Sequence, residues 1–129
     1  MTDQQLYQYA VTQQQFAYAP YSHFCVGAAL LCQNGKVYGG CNIESAAYSA
    51  TLCAERTALA KAISEGERDF SVIAISASSG EFAFPCGVCR QLLAEFNQDL
   101  IILVGNHRGL LKRYSLRELL PEAFTGENL

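Results

Sequence analysis

Apolar and polar positions along the chain change period from block to block, and each block predicts an element. Thr2-x-x-Gln5 has the form of a capping box and predicts a helix through about Tyr18, ended by Pro20. Val26 to Leu31 is small and continuously apolar, as a buried strand should be. Asn34-Gly35 is a strong short hairpin signal, so Lys36 to Cys41 should return antiparallel. Asn42 to Thr51 is rich in small polar residues and predicts loop or a short helical turn. Cys53 to Ser64 carries helix formers throughout and meets Gly66, a good C-terminal cap. Phe70 to Ala77 is apolar and β-branched, fit for a central strand. Cys86 to Phe96, just after Pro85, predicts a further helix. Leu100 to Gly105 is another apolar strand, Leu110 to Tyr114 an edge strand, and Ser115-x-x-Glu118 caps a last short helix ended by Pro121.

Strand–strand–helix–strand–helix–strand implies an α/β layer structure on a mixed sheet. The alternating half should be parallel, with the hairpin supplying the antiparallel part. There is no repeat, linker or low-complexity tract, so residues 1–129 are expected to form a single domain. Composition agrees: 50% of residues are apolar and 16% charged, enough for one packed core.

Charge narrows the partner. Nine Lys and Arg against twelve Asp and Glu give a net charge of −3, and the basic residues are scattered apart from Lys112-Arg113. A surface that follows a phosphate backbone needs clustered cations. A small uncharged substrate is therefore expected, with no nucleic acid partner. No apolar run approaches the roughly 20 residues that span a bilayer, so no membrane partner is expected.

Six cysteines raise the question of a disulfide framework. The polar start, Met1-Thr2-Asp3-Gln4-Gln5, lacks a signal-peptide layout. A reduced, cytoplasmic protein is the expectation. Cys86-Gly-Val-Cys89 has metal-site spacing, with both sulfurs on one face at the start of a predicted helix. Cys53 opens another predicted helix. Helix N-termini carry partial positive charge, which favours the thiolate that zinc needs. A catalytic zinc takes three protein ligands and keeps one open position, whereas a structural site would need a fourth, from Cys25, Cys32, Cys41, His23 or His107. Spacing alone leaves the two balanced. Glu55 tilts them: a carboxylate two residues after a ligand would stand beside the open position and handle protons. Otherwise it is simply an acid that complements a helix start. Cys25, Cys32 and Cys41 lie in or beside predicted strands and read as buried apolar side chains.

These residues fit the pattern [HC]-x-E…P-C-x-x-C of the zinc deaminases of nucleobases. It is present as Cys53-Ala-Glu55 and Pro85-Cys-Gly-Val-Cys89. The flanks extend the match: Tyr18-Ala-Pro-Tyr-Ser22, Val26-Gly-Ala-Ala29, Gly40-Cys-Asn-Ile-Glu44, Ala46-Ala-Tyr-Ser49, Cys53-Ala-Glu-Arg-Thr-Ala58, Cys89-Arg-Gln91 and Glu118-Leu-Leu-Pro121. From about residue 7 to 125 the chain resembles the short homotetrameric cytidine deaminases of pyrimidine salvage.

The resemblance implies a three-layer α/β/α sandwich on a five-stranded mixed sheet. It implies one zinc ion per subunit on Cys53, Cys86 and Cys89, and hydrolysis of cytidine and deoxycytidine to uridine and deoxyuridine with release of ammonia. Glu55 would deprotonate water, protonate the ring at N3, and serve the departing ammonia. Asn42 and Glu44 would bind the ribose 3′-hydroxyl. Phe24 would pack near the pyrimidine, with Ala54 also against the substrate. Phe124 would reach a neighbouring subunit's site and Tyr48 a subunit contact, in a homotetramer with sites at its interfaces. Three thiolates outnumber the charge of one divalent cation and would raise the pKa of bound water. Arg56, with Arg90, is expected to offset this. Two departures stand out: His23 and Cys25 flank Phe24 where polar residues are usual, and the Phe82-Ala83-Phe84 approach to Pro85 is unusually aromatic. Two other readings fit parts of the pattern. A blasticidin-type deaminase is not expected to carry Asn42-x-Glu44, and a zinc-stabilised binding module has no need of Glu55.

Overall fold

A computed structural model describes residues 1–129. Its first helix, α1 (Asp3–Gln13), begins at the expected capping box, in which the Gln5 amide donates to Thr2 Oγ1 and the Thr2 amide to Gln5 Oε1. It stops short of Tyr18, tightening into a 3₁₀ turn over Gln14–Phe16. Tertiary pairing explains the early stop. The Tyr18 amide donates to Asn42 O, and Tyr18 bridges Ile43 in parallel, which needs extended backbone. Gln14 is likewise held, donating to the Ser76 hydroxyl at 2.7 Å.

The hairpin forms as read: β1 (Val26–Cys32) and β2 (Val37–Cys41) are antiparallel, with Gly35 at φ +89° in the turn. Then come α2 (Ala54–Ser64), β3 (Phe70–Ala77), α3 (Gly87–Phe96), β4 (Ile101–Gly105), β5 (Leu111–Ser115) and α4 (Leu116–Leu119). The sheet order is β2-β1-β3-β4-β5. Only β3 and β4, joined by the α3 crossover, are parallel. The parallel share is thus smaller than the alternating pattern suggests. Strand β3 docks beside β1 instead of β2 and runs antiparallel to it, and β5 returns from β4 through a tight turn.

The strands are apolar without a break because both faces are covered. Alternate residues of β3 divide between them. Val72 and Ala74 join Leu6, Tyr7, Ala10, Ala29 and Leu103 under α1. Ile73 and Ile75 join Ala28, Leu30, Ala58, Leu59, Leu93 and Val104 under α2 and α3. The result is the expected three-layer α/β/α sandwich with a five-stranded mixed sheet. One glycine in it positions the chemistry. A Cβ on Gly40 would lie 2.5 Å from both Ala54 O and Ala58 N, so only glycine lets the first turns of α2 rest on β2.

Candidate active site

The two helix starts on this face meet. Cys53 is the N-cap of α2 and Cys86 the N-cap of α3, both in extended backbone, and neither side chain caps its helix. Their sulfurs are therefore free, and they stand 3.7 Å apart. Cys89, one turn into α3, completes a cluster whose three Sγ atoms all lie within 4.8 Å of one another. Zinc–sulfur bonds of about 2.3 Å at tetrahedral angles place ligand sulfurs about 3.8 Å apart. The cluster fits one zinc ion by this measure. Cys25, Cys32 and Cys41 are not part of it. Three protein ligands and no fourth is the catalytic pattern.

The protonation chemistry supports the fit. Cys53 is pushed down to about 5, chiefly because the Cys89 thiol hydrogen-bonds to it, with Arg56 assisting. Cys89, fully buried, is pushed up by the same bond seen from the donor side and by burial. All three can be thiolates together only with a cation among them. Arg56 supplies part of the balance: Nη2 donates to Thr51 O at 3.1 Å and approaches Cys53 Sγ at 3.6 Å. Its buried Nε has no partner. That is a donor suited to a more fully ionised cluster. Arg90 is occupied otherwise, donating through Nε to Pro85 O at 2.7 Å and through Nη1 to Leu119 O at 2.8 Å. Of the two arginines expected to offset the sulfurs, Arg56 alone contacts one, and Arg90 clamps backbone.

Glu55 follows Cys53 into the first turn of α2 and is 4% exposed. Burial, reinforced by the charge of Cys53, pushes its carboxyl up to about 7. A carboxyl so poised can accept and return a proton near neutral pH.

Above the sulfurs lies a cavity of about 310 Å³, lined by twelve residues, nine of them hydrophobic. Phe24, Asn42, Cys53, Ala54, Glu55 and Cys86 are all among them. So are Val26, Thr51, Leu52, Ile75, Ala83 and Phe84, none of which the sequence assigns a contact with substrate. Asn42 is buried and doubly committed: Oδ1 accepts from the Val26 amide at 2.9 Å and Nδ2 donates to Phe24 O at 2.8 Å. It fixes the strand entry that carries Phe24 and keeps one lone pair and one amide hydrogen for a ligand. His23 just before has φ +59°, a conformation uncommon outside glycine, which turns the chain into β1.

Glu44 lines a neighbouring hollow with Tyr21, Ser22, Ser45, Tyr48 and Thr51, and Thr51 belongs to both cavities. Its carboxylate accepts from the Tyr21 and Ser22 amides and from the Ser22 hydroxyl. These bonds, the hydroxyl's first, hold its pKa below the ordinary value. Tyr48 is 80% exposed and Phe124 57% exposed, and neither lines the cavity above this chain's own sulfurs. Phe124 is presented outward by Gln91, whose side chain accepts from its amide and donates to its carbonyl.

Comparison with known proteins agrees with the geometry. The sequence profile described as "Cytidine and deoxycytidylate deaminase zinc-binding region" matches residues 1–104. A cytidine deaminase of Halalkalibacterium halodurans is 48% identical over 130 aligned positions, covering 100% of this chain and 98% of the relative. One of Sporosarcina psychrophila is 49% identical over 114 residues, covering 88% and 84%. The crystal structure of cytidine deaminase from Burkholderia pseudomallei superposes with a TM-score of 0.92 at 42% identity, covering 96% of this chain and all of that one. Fold and site thus define a zinc-dependent hydrolytic deaminase. The chain belongs to the cytidine and deoxycytidylate deaminase family.

Proposed function

We propose that the protein converts cytidine and deoxycytidine to uridine and deoxyuridine in pyrimidine salvage, as a cytoplasmic homotetramer built of one catalytic domain per chain. The observation that carries this reading is Glu55, a buried carboxyl poised near neutrality beside three converging cysteines at the foot of a mostly apolar cavity.

Cys53, Cys86 and Cys89 would hold the zinc, which when bound would lower the pKa of water and so supply the nucleophile at neutral pH. The chain's residues do the rest. Glu55 takes one proton from water and gives it to N3 of the pyrimidine, which makes C4 electrophilic. Oxygen bonds to C4, the bond from C4 to the amino nitrogen breaks, and Glu55 relays the second proton to the departing ammonia. Water and cytidine are thereby converted to uridine and ammonia. Arg56 keeps the sulfurs from over-stabilising the protonated form of the water. Phe24 and the apolar lining hold the base and exclude bulk water.

A nucleoside fits better than a nucleotide. No Lys or Arg lines the cavity over the sulfurs, and the adjoining hollow is lined by Glu44 and neutral side chains. A 5′-phosphate would meet a carboxylate with no cation to pair it. Asn42 and Glu44 are read as the ribose contacts, with Glu44 also ordering the Tyr21–Ser22 turn. The tetramer is supported by an apolar, exposed strip of α3, Val88 and Leu92, which with Phe124 borders a hollow of about 700 Å³. Phe124 and Tyr48, neither of which lines the cavity over this chain's own sulfurs, are read as contributing to a neighbour's. Incubation of the zinc-loaded protein with cytidine should remove the substrate's absorbance and release one ammonia per uridine. No change with cytidine or deoxycytidine would overturn this reading.

A further inference from the structure

The segment between β3 and α3 forms one wall of the site and is held in an unusual way. No backbone hydrogen bond involves Phe82, Ala83 or Phe84. Side chains anchor them to β5 instead. Lys112 Nζ sits 4.3 Å from the centroid of the Phe82 ring, and two residues on in both segments Phe84 meets Tyr114 edge-to-face at 5.5 Å. Arg90 secures the end of the segment through Pro85 O. Phe84 is 43% exposed and lines the cavity over the sulfurs. A large half-exposed ring, braced from behind by a second aromatic, is a preorganised wall that does not yield easily.

Its place relative to a bound base follows from the reaction. The carbon that loses its amino group must lie at the metal. Its ring neighbours are N3 and C5. Glu55, which serves N3, stands at the start of α2, whereas Cys86, two residues after Phe84, opens α3. With N3 directed at the α2 side, C5 falls on the flank that carries Phe84. We propose that Phe84 is a specificity-determining residue that limits the size of substituents accepted at C5 of the pyrimidine. This rests on the nucleoside reading above and goes beyond it by naming which base analogues are refused.

The test compares cytidine with 5-bromocytidine as substrates, and uridine with 5-bromouridine as non-reacting ligands by calorimetry, in zinc-loaded wild-type and Phe84→Ala enzymes. Wild-type enzyme should favour the unsubstituted member of each pair. Phe84→Ala should move both ratios toward the bromo compound by about tenfold, the scale at which a pocket discriminates one small apolar group. The ratio of cytidine to deoxycytidine should stay put, because Phe84 does not line the hollow that holds Glu44. These ratios do not depend on how much of the variant is folded. Tyr114→Ala, which removes the brace without touching the cavity lining, should move them the same way by less. Bromo ratios unchanged within twofold in Phe84→Ala, with wild-type enzyme active on cytidine, would overturn the proposal alone. Wild-type enzyme that neither converts cytidine nor binds uridine would overturn the nucleoside reading and this proposal with it.

Discussion

Replacing Glu55 by glutamine removes a proton carrier while keeping its shape, and two magnitudes follow from its burial. The carboxyl is pushed from an ordinary 4.5 up to about 7. At about 1.4 kcal/mol per pH unit, this corresponds to about 3 kcal/mol between its protonation states. The sign is that of a buried acid whose folded pKa is raised. Below about pH 4.5 it is protonated whether folded or unfolded, and the perturbation contributes nothing. As pH rises through 7 the penalty for ionising it in the fold grows to its full value, then stays level. Neutral glutamine escapes this penalty. In chelator-treated protein, Glu55→Gln should therefore be more stable than wild type by up to about 3 kcal/mol at pH 8 and about equal at pH 4. That shift raises the melting temperature by several degrees for a domain of this size. Loaded with zinc, the same variant should retain the metal but lose turnover by about a thousandfold or more, since one residue makes both proton transfers. Urea or thermal unfolding at the two pH values, paired with a deamination assay, reads both effects. Turnover within tenfold of wild type would refute the proton-transfer role, and a stability difference that does not grow between pH 4 and pH 8 would refute the burial argument.

Other predictions concern the site's supports. Arg56→Gln should lower both zinc content after dialysis and turnover, because it removes the cation beside Cys53; retention of both would show that the sulfurs need no such partner. Thiol labelling at pH 7 should spare Cys32, whose thiol burial pushes up to about 11, and should reach exposed Cys86 only after chelation; equal Cys86 labelling with and without zinc would speak against ligation. Gly40→Ala forces a methyl group against Ala54 O and Ala58 N, and should cost about 1–3 kcal/mol in urea unfolding. The bonds of Glu44 to Ser22 and Tyr21 are stable above its lowered pKa and are lost as pH falls through it. Glu44→Gln should accordingly raise KM for cytidine more than it lowers kcat, and an unchanged KM would count against the ribose role.

How much of this was legible beforehand depends on whether the deciding forces are local. The capping boxes at Thr2 and Ser115, the Asn34-Gly35 turn and the apolar run Phe70–Ala77 are written in adjacent residues, and each forms as read. The metal cluster was equally legible, since Cys86 and Cys89 share one helix turn and Cys53 opens the neighbouring helix. Errors arose where distant residues decide. Helix α1 ends early because Tyr18 pairs with a loop twenty-odd residues away. The sheet is mostly antiparallel because β3 docks beside β1. Nothing near Arg90 reveals that its guanidinium is claimed by Leu119 O, 29 residues on. Thr51, Leu52 and Ile75 have no chemical signature at all and become site residues only through the fold. Glu44 shows a subtler limit: its pairing with Asn42 is visible in sequence, but its commitment to the Ser22 turn is not.

Three cysteines and one glutamate are assigned here as a zinc-dependent hydrolytic site for a nucleoside. Titrating zinc into metal-free protein while following cytidine absorbance tests this assignment most directly. Deamination should rise in proportion to added zinc and level off at one ion per chain. Full activity without metal, or one bound zinc per chain with no conversion of cytidine, would contradict the account.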